Sequence, residues 1–323
     1  MNKRDTLLAL LALGAAPFTV HAQQAKKVYR VGVLSHIVPR ERFTVMLAAL
    51  RELGYEEGRN IQFDYRYAQD KEDRLAGLAS DLVATKPDLI LAFTNPEILA
   101  AKRATSTIPI IMRWALAPVE SGLVASLARP GGNVTGTALE DPEMAGKKLE
   151  ILRDALPRVA RVTYLWQPDF PGMAAYGRAT ERAAKAMGIR LTLLPGGTLE
   201  EIERAFTLIT KQRPDALMVA STGAIFANRA HVIEFAARQR LPVLYTVEGL
   251  VPEGGLMSYS ADYRALQQRT AAIIDRVLKG AKPADIPVEQ PTQYKLAINL
   301  KTAKALGLTI PQSVLLRATE VIE

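Results

Sequence analysis

The 323-residue chain contains no cysteine and three histidines. Without cysteine there can be no disulfide, no thiol nucleophile and no lipid-bearing cysteine of a lipoprotein. His21 falls in an N-terminal export signal, so only His36 and His231 would remain in a mature protein, and no zinc-ligand spacing can be built from them. The serines Ser121, Ser126 and Ser221 lack the Gly-x-Ser-x-Gly elbow of a hydrolase. Neither a Walker loop nor Gly-x-Gly-x-x-Gly follows the first strand-like run "VGVL", where "SHIVPRERF" stands instead. No basic run of five occurs, and the Lys and Arg that outnumber Asp and Glu by 41 to 33 are dispersed among acids, which argues against a nucleic-acid surface. Together these absences exclude the usual metal, thiol, serine-hydrolase and nucleotide chemistries, and they leave a binder with no cofactor.

The first 22 residues have the three parts of a secretory signal: Lys3 and Arg4, an apolar stretch from Leu7 to Ala16, and Val20-His21-Ala22 at a small-x-Ala cleavage site. The apolar stretch is well short of the roughly 20 residues a membrane span needs. The mature chain is therefore expected to begin near Gln23 and to reside in the periplasm. Removing Lys3, Arg4 and Asp5 lowers the formal charge of +8 by only one.

Beyond the signal, Val- and Ile-rich runs of strand length alternate with stretches of helical period. Strands are predicted at 28–34, 61–67, 89–93, 108–115 and 134–139, and a second series at 161–167, 189–195, 216–221 and 241–247. Between them lie segments such as "RFTVMLAALREL", where Phe43, Met46, Leu47, Leu50 and Leu53 fall at three- and four-residue steps before Gly54. Repeated βα alternation implies parallel sheets covered by helices on both faces, and its restart implies two doubly wound α/β lobes. The last 70 residues break the rhythm and look like additions to those lobes.

In an open α/β sheet, ligands bind beyond the carboxyl ends of the strands, where helix N-termini point N–H groups outward. That rule selects Ser35 and His36, Thr94 and Asn95, and Trp114 with Ala115 in the first series. In the second it selects Gln167 to Phe170, Ser221 with Thr222, and Tyr245 to Glu248. "FTNPE" and "ASTGA" each place a polar cap ahead of a helix, a good donor set for a carboxylate.

The phrases "LARPGGNVTG", "KKLEILRDALP" and "EGGLMSY", and above all "GAKPADIPVEQPTQYKLAINLKTAKALGLTIPQSVLLRATEVIE", resemble the ABC-transporter substrate-binding proteins of the type I periplasmic binding fold, the family that includes tryptophan-binding-type proteins. The resemblance runs from "YRVGVLS" to Glu323. It implies two lobes joined by three crossovers that close on a small solute and present it to an ABC permease in the inner membrane, the receptor itself being a monomer. By the family's topology the N-terminal lobe takes 26–140 plus 259–285 and the C-terminal lobe 141–258 plus 286–323. An amino-acid ligand would need an acid such as Glu248 or Asp262 for its ammonium and a surface such as Trp114, Phe170 or Tyr245 for its side chain. Where many members have Gly-Asp-Pro-Val, this chain has "LAPV", which points toward a more apolar or more anionic solute, met by Arg113. A periplasmic ligand sensor docking on a signalling receptor is the alternative role, and an exported hydrolase a third.

"LARPGGNVTG" itself, residues 127–136, runs from a helix-like segment through Pro130-Gly131-Gly132 into a strand. A phosphate cradle has the opposite order, glycines between strand and helix. The stretch is expected to turn the chain into the last strand of the first lobe.

Overall fold

The computed structural model describes residues 27–36, 43–69, 71–220 and 222–323. The export signal expected over residues 1–22 lies outside them. Among the described residues no helix is long and apolar enough to cross a membrane.

The first sheet is wholly parallel. Its strands are β1 (Tyr29–Ser35), β2 (Ile61–Tyr67), β3 (Leu89–Ala92), β4 (Ile110–Leu116) and β5 (Val134–Glu140), in the order β2-β1-β3-β4-β5. Three helices alternate with them: α1 (Thr44–Glu52), α2 (Leu75–Ala84) and α3 (Asn95–Ala104). Apolar clusters cover both faces of this sheet, one around Phe43, Met46 and Leu50, the other around Leu82, Ile98 and Ala101.

The second sheet contains β6 (Arg161–Trp166), β7 (Arg190–Pro195), β8 (Ala216–Val219), β9 (Val243–Tyr245), β10 (Met257–Ala261), β11 (Tyr294–Asn299) and β12 (Glu320–Ile322). Its order is β12-β11-β10-β9-β8-β6-β7, parallel except where β10 meets β11. Helices α4 (Met144–Ala155), α5 (Met173–Ala186), α6 (Leu199–Gln212), α7 (Gly223–Ala227) and α8 (Arg229–Gln239) precede the return to the first lobe. The two parallel α/β series predicted from the sequence are thus both present.

That return is helix α9 (Tyr263–Leu278). Its buried Ile273, Ile274 and Val277 join the Phe43 cluster, and Asp275 accepts a bond from the Tyr55 hydroxyl at 2.9 Å. The chain then runs alongside β5: Thr135 donates to the Ile286 carbonyl at 2.7 Å, and the Glu289 amide donates to Gly136 at 3.0 Å. Only after Glu289 does it cross to β11, and α10 (Leu300–Ala305) and α11 (Gln312–Leu315) follow in the second lobe. Two expected boundaries therefore move. Strand β10 pairs within the second sheet along its whole length, so a division at 258/259 would cut a strand, and residues 286–289 stay with the first sheet rather than leaving it at 285.

The segment before Pro130 is a correction of a different kind. Residues 117–133 form a turn at 118–122 followed by bends and irregular chain, not a helix. Ala117 takes φ +41° ahead of the run and Gly122 has φ +71° within it, so the helical repeat cannot propagate. Lys102 reaches over to bind the Gly122 and Leu123 carbonyls at 2.6 and 3.0 Å. The turn role survives: Asn133 holds the Thr105 and Ile108 carbonyls at 3.1 and 2.8 Å, and β5 begins at the next residue.

Strands β4 and β5 lie too close together at one point for any side chain. A carbon added to Gly136, at φ +141°, would sit 2.0 Å from the Met112 carbonyl oxygen. Beside that contact the register shifts between Met112 and Ala115, a bulge that interrupts the alternation of side chains.

Candidate functional site

A cavity of about 540 Å³ lies between the two sheets, lined from the carboxyl ends of β1, β3, β4 and β5 and the start of α9 on one side and from the ends of β6, β8 and β9 on the other. The crevice rule for open α/β sheets is followed in both lobes at once.

The β4 bulge shapes the first-lobe wall. Consecutive residues of a regular strand point to opposite faces, yet Arg113 and Trp114 both line the cavity. The Arg113 guanidinium carbon lies 3.8 Å from the centre of the Trp114 ring, 4.7 Å from Phe93 and 5.4 Å from Phe43. Arg113 is fully buried, a placement that stacked aromatic faces support for a weakly hydrated guanidinium. Phe43, Phe93, Trp114 and Tyr263 continue as a chain of ring contacts across the wall.

Glu97 is buried beside them for a local reason. "TNPE" opens α3 as a capping box: Glu97 Oε2 accepts the Thr94 amide at 3.1 Å and also the Thr94 hydroxyl, while Oε1 accepts the His36 amide at 2.8 Å. His36 Nδ1 is 3.4 Å from the same carboxylate, and its Nε2 is 3.8 Å from Glu72. One acid therefore ties the loop after β1 to the helix after β3.

The second-lobe wall consists of Phe170, Thr222, Gly223 and Phe226, with Arg229 and Glu253 toward the solvent. Arg229 Nε faces both Glu253 oxygens at 3.1 and 3.0 Å. A carbon added to Gly223 would lie 3.9 Å from the His36 ring, so the lobes approach closely there. They meet a second time at Gly172, φ +88°, where an added carbon would sit 2.3 Å from the Leu116 carbonyl oxygen. Leu116 and Ala117 pack into the apolar cluster of the second lobe, together with Tyr164 and Met173.

Several polar atoms on these walls are buried without a partner among the described residues: Ser35 Oγ, Trp114 Nε1, Thr222 Oγ1 and Gln267 Oε1. Ser35 and Thr222 are each 1% exposed and come from opposite lobes. Buried polar atoms are rarely left unsatisfied, so a cluster of four around one cavity indicates groups arranged for something bound.

Of the residues selected from the sequence, Ser35, His36, Thr94, Trp114, Phe170, Thr222 and Glu248 line the cavity. Ser221 lies outside the described residues. Five others do structural work nearby. Asn95, fully buried, braces the end of β4 by exchanging bonds of 2.7 Å with the Leu116 amide and carbonyl. Ala115 is buried in the first-lobe core, and Gln167 packs near Gly197. Tyr245 is under the backbone of Gly255, and burial pushes its hydroxyl pKa upward. Asp262 caps α9 through the Arg264 and Ala265 amides at 2.9 and 3.1 Å. Burial alone would raise its carboxyl, but those amides and the Lys295 ammonium hold it below the usual range.

The strand-end rule passed over Phe93, Glu97, Phe226, Tyr263 and Gln267. Glu97 had a readable signal in the capping box. Tyr263 and Gln267 come from α9, which belongs to the first sheet only through the late return of the chain.

Comparison with known proteins is consistent along the whole length. Residues 31–322 match the model of a family described as ABC transporter substrate binding protein. The chain is 31% identical over 262 residues to a tyrosine-binding protein of Clostridioides difficile (strain R20291), covering 81% of this chain and 75% of that one. Its fold superimposes with a TM-score of 0.85 on an ABC domain from Streptococcus pneumonia in complex with L-Trp, at 28% identity and over 92% of this chain and 100% of the other. The ligand-free, open structure of a substrate binding protein with adhesive properties from Clostridium difficile gives a TM-score of 0.69 at 25% identity, over 91% and 99% of the two chains.

Proposed function

This chain belongs to the family of ABC transporter substrate-binding proteins, which are binders and not enzymes, and on that premise we propose that it captures a small organic solute between its lobes in the periplasm and delivers it to an ABC importer. The solute is amino-acid-like, aromatic or carboxylate-bearing. The observation that carries this reading is the cavity itself, where rings from both lobes (Phe93, Trp114, Tyr263; Phe170, Phe226) surround buried polar atoms with no partner among the described residues. Apolar walls with a few convergent polar groups are the common form of a small-molecule site.

Two further findings support it. Two of the relatives named above are a tyrosine-binding protein and a domain in complex with L-Trp. The lobe arrangement here also superimposes better on the L-Trp complex than on an open, ligand-free relative of similar identity, as expected of a closed state. The hinge would consist of the three crossings, after Glu140, around Ala261–Asp262, and between Gln290 and Gln293. Gln290 bonds Asp141 at 3.2 Å and the Asp262 amide bonds Gln293 at 3.0 Å, so the three lie side by side and can flex together.

The test is a thermal-shift panel of amino acids, aromatic acids, other carboxylates and sugars on purified mature protein. At a hundredfold excess over Kd a ligand of the native state adds about 2.7 kcal/mol of stability, a rise in Tm of several degrees. A flat response to the whole panel would contradict the reading.

A further inference from the structure

An amino acid brings an ammonium group into the site along with its carboxylate. A buried ammonium is compensated most fully by a carboxylate turned toward it, because an uncompensated buried charge is strongly destabilising. Among the described residues three carboxylates line the cavity, and each is already engaged. Glu97 accepts two backbone amides and a hydroxyl. Glu253 presents both oxygens to Arg229. Glu248 holds Lys295 Nζ at 2.8 Å, and the same ammonium is 3.3 Å from Asp262, so this corner already carries an ammonium of the protein's own.

The groups facing the other way are donors and cations. Arg113 lines the floor and Arg264 the rim, and Arg264 makes no ion pair among the described residues. The Trp114 indole N–H, which can only donate, and the hydroxyls of Ser35 and Thr222 are buried without a partner among the described residues. Gln267 Oε1 also lacks a partner among the described residues, but one neutral oxygen does not balance a buried ammonium and suits a ligand hydroxyl better. Where β4 ends at the cleft, Leu116 and Ala117 supply only apolar side chains.

We propose that the occupant is an aromatic carboxylic acid without an α-ammonium group, its carboxylate met by Arg113, the Trp114 N–H and the Ser35 and Thr222 hydroxyls. This rests on the solute-binding reading above. It assigns the discrimination between the acid and the corresponding amino acid to the acids of the cavity being engaged in advance.

Matched pairs test it by isothermal titration calorimetry on the mature protein: 3-phenylpropanoate against phenylalanine, 3-(4-hydroxyphenyl)propanoate against tyrosine, and indole-3-propanoate against tryptophan. In at least one pair the acid should bind tenfold or more tighter, and its methyl ester should lose at least tenfold. An amino acid that binds as tightly as its partner acid would overturn the proposal, as would an ester equal to the acid. Silence from all six compounds would overturn it too. If other members of the thermal-shift panel then still bind, only this inference fails, whereas silence across that panel removes the solute-binding reading as well.

Discussion

The two walls of the cavity are built differently. On the first-lobe side the polar and charged groups are locked in place by their own lobe: Arg113 between aromatic rings, Glu97 in a capping box, and Trp114 fixed by the β4 bulge that also requires Gly136. On the second-lobe side the wall comes from the short helix α7, from the start of α8, and from an Arg229–Glu253 pair whose side chains are 34% and 42% exposed. Exposed pairs contribute little, typically under about 1 kcal/mol. The proposed function assigns the ligand's charged end to the preorganised pocket of the first lobe and closure to the second.

Substitutions can break that comparison, and the largest effect should come from the first wall. Arg113→Met keeps an apolar filler among the rings and should weaken binding of the best solute from the thermal-shift panel by about a hundredfold or more, as removal of a buried charged contact does. Calorimetry measures the loss, and circular dichroism checks that the fold persists. Next comes closure. Gly172→Ala forces a carbon against the Leu116 carbonyl at the point where the lobes meet, so it should weaken binding by roughly tenfold while shifting the small-angle scattering of the liganded protein toward a more open form. Thr222→Val on the second wall removes one hydroxyl and should cost less, about 1 kcal/mol or some fivefold. If Thr222→Val proved more damaging than Arg113→Met, the division between the walls would be reversed.

The smallest effect is expected at the hinge. Because the Asp262 carboxyl is held below its ordinary value, its contribution to stability is full above about pH 4 and fades as the pH falls through its folded-state value. Asp262→Asn retains a good helix cap and removes the charge. Urea denaturation across pH 3 to 7 should show a loss of a few tenths of a kcal/mol near neutrality and a shallower acid decline.

How much of this was legible in the sequence follows the same line. The strands were readable because Val- and Ile-rich runs bounded by Gly and Pro have a local cause. Strand β1 was expected at 28–34 and found at Tyr29–Ser35, and β2 coincides with the expected 61–67. The run before Pro130 misled because its apolar spacing suits a helix while the positive φ of Ala117 and Gly122 breaks one. In the site, the strand-end rule located the cavity but could not tell a ligand contact from a brace. Thr94 and Asn95 are neighbours in a polar cap, yet Thr94 lines the cavity and Asn95 bonds the backbone of β4. Which of the two points inward depends on the partner strand, and no local pattern encodes that. Arg113 is named from the sequence, but that it and Trp114 both line the cavity requires the bulge, and Gln267 requires the return of α9, both long-range consequences of chain topology.

Two tryptophans allow the central claim to be tested directly, since Trp114 lines the cavity and Trp166 packs against Gly177 of the second lobe. Single-tryptophan proteins, Trp166→Phe and Trp114→Phe, can each be titrated with the solute that gives the largest thermal shift while indole emission is followed. Binding in the cavity predicts a saturable change in the Trp114 signal at the calorimetric Kd and little change from Trp166. A solute that stabilises the protein yet leaves Trp114 emission untouched would contradict the account.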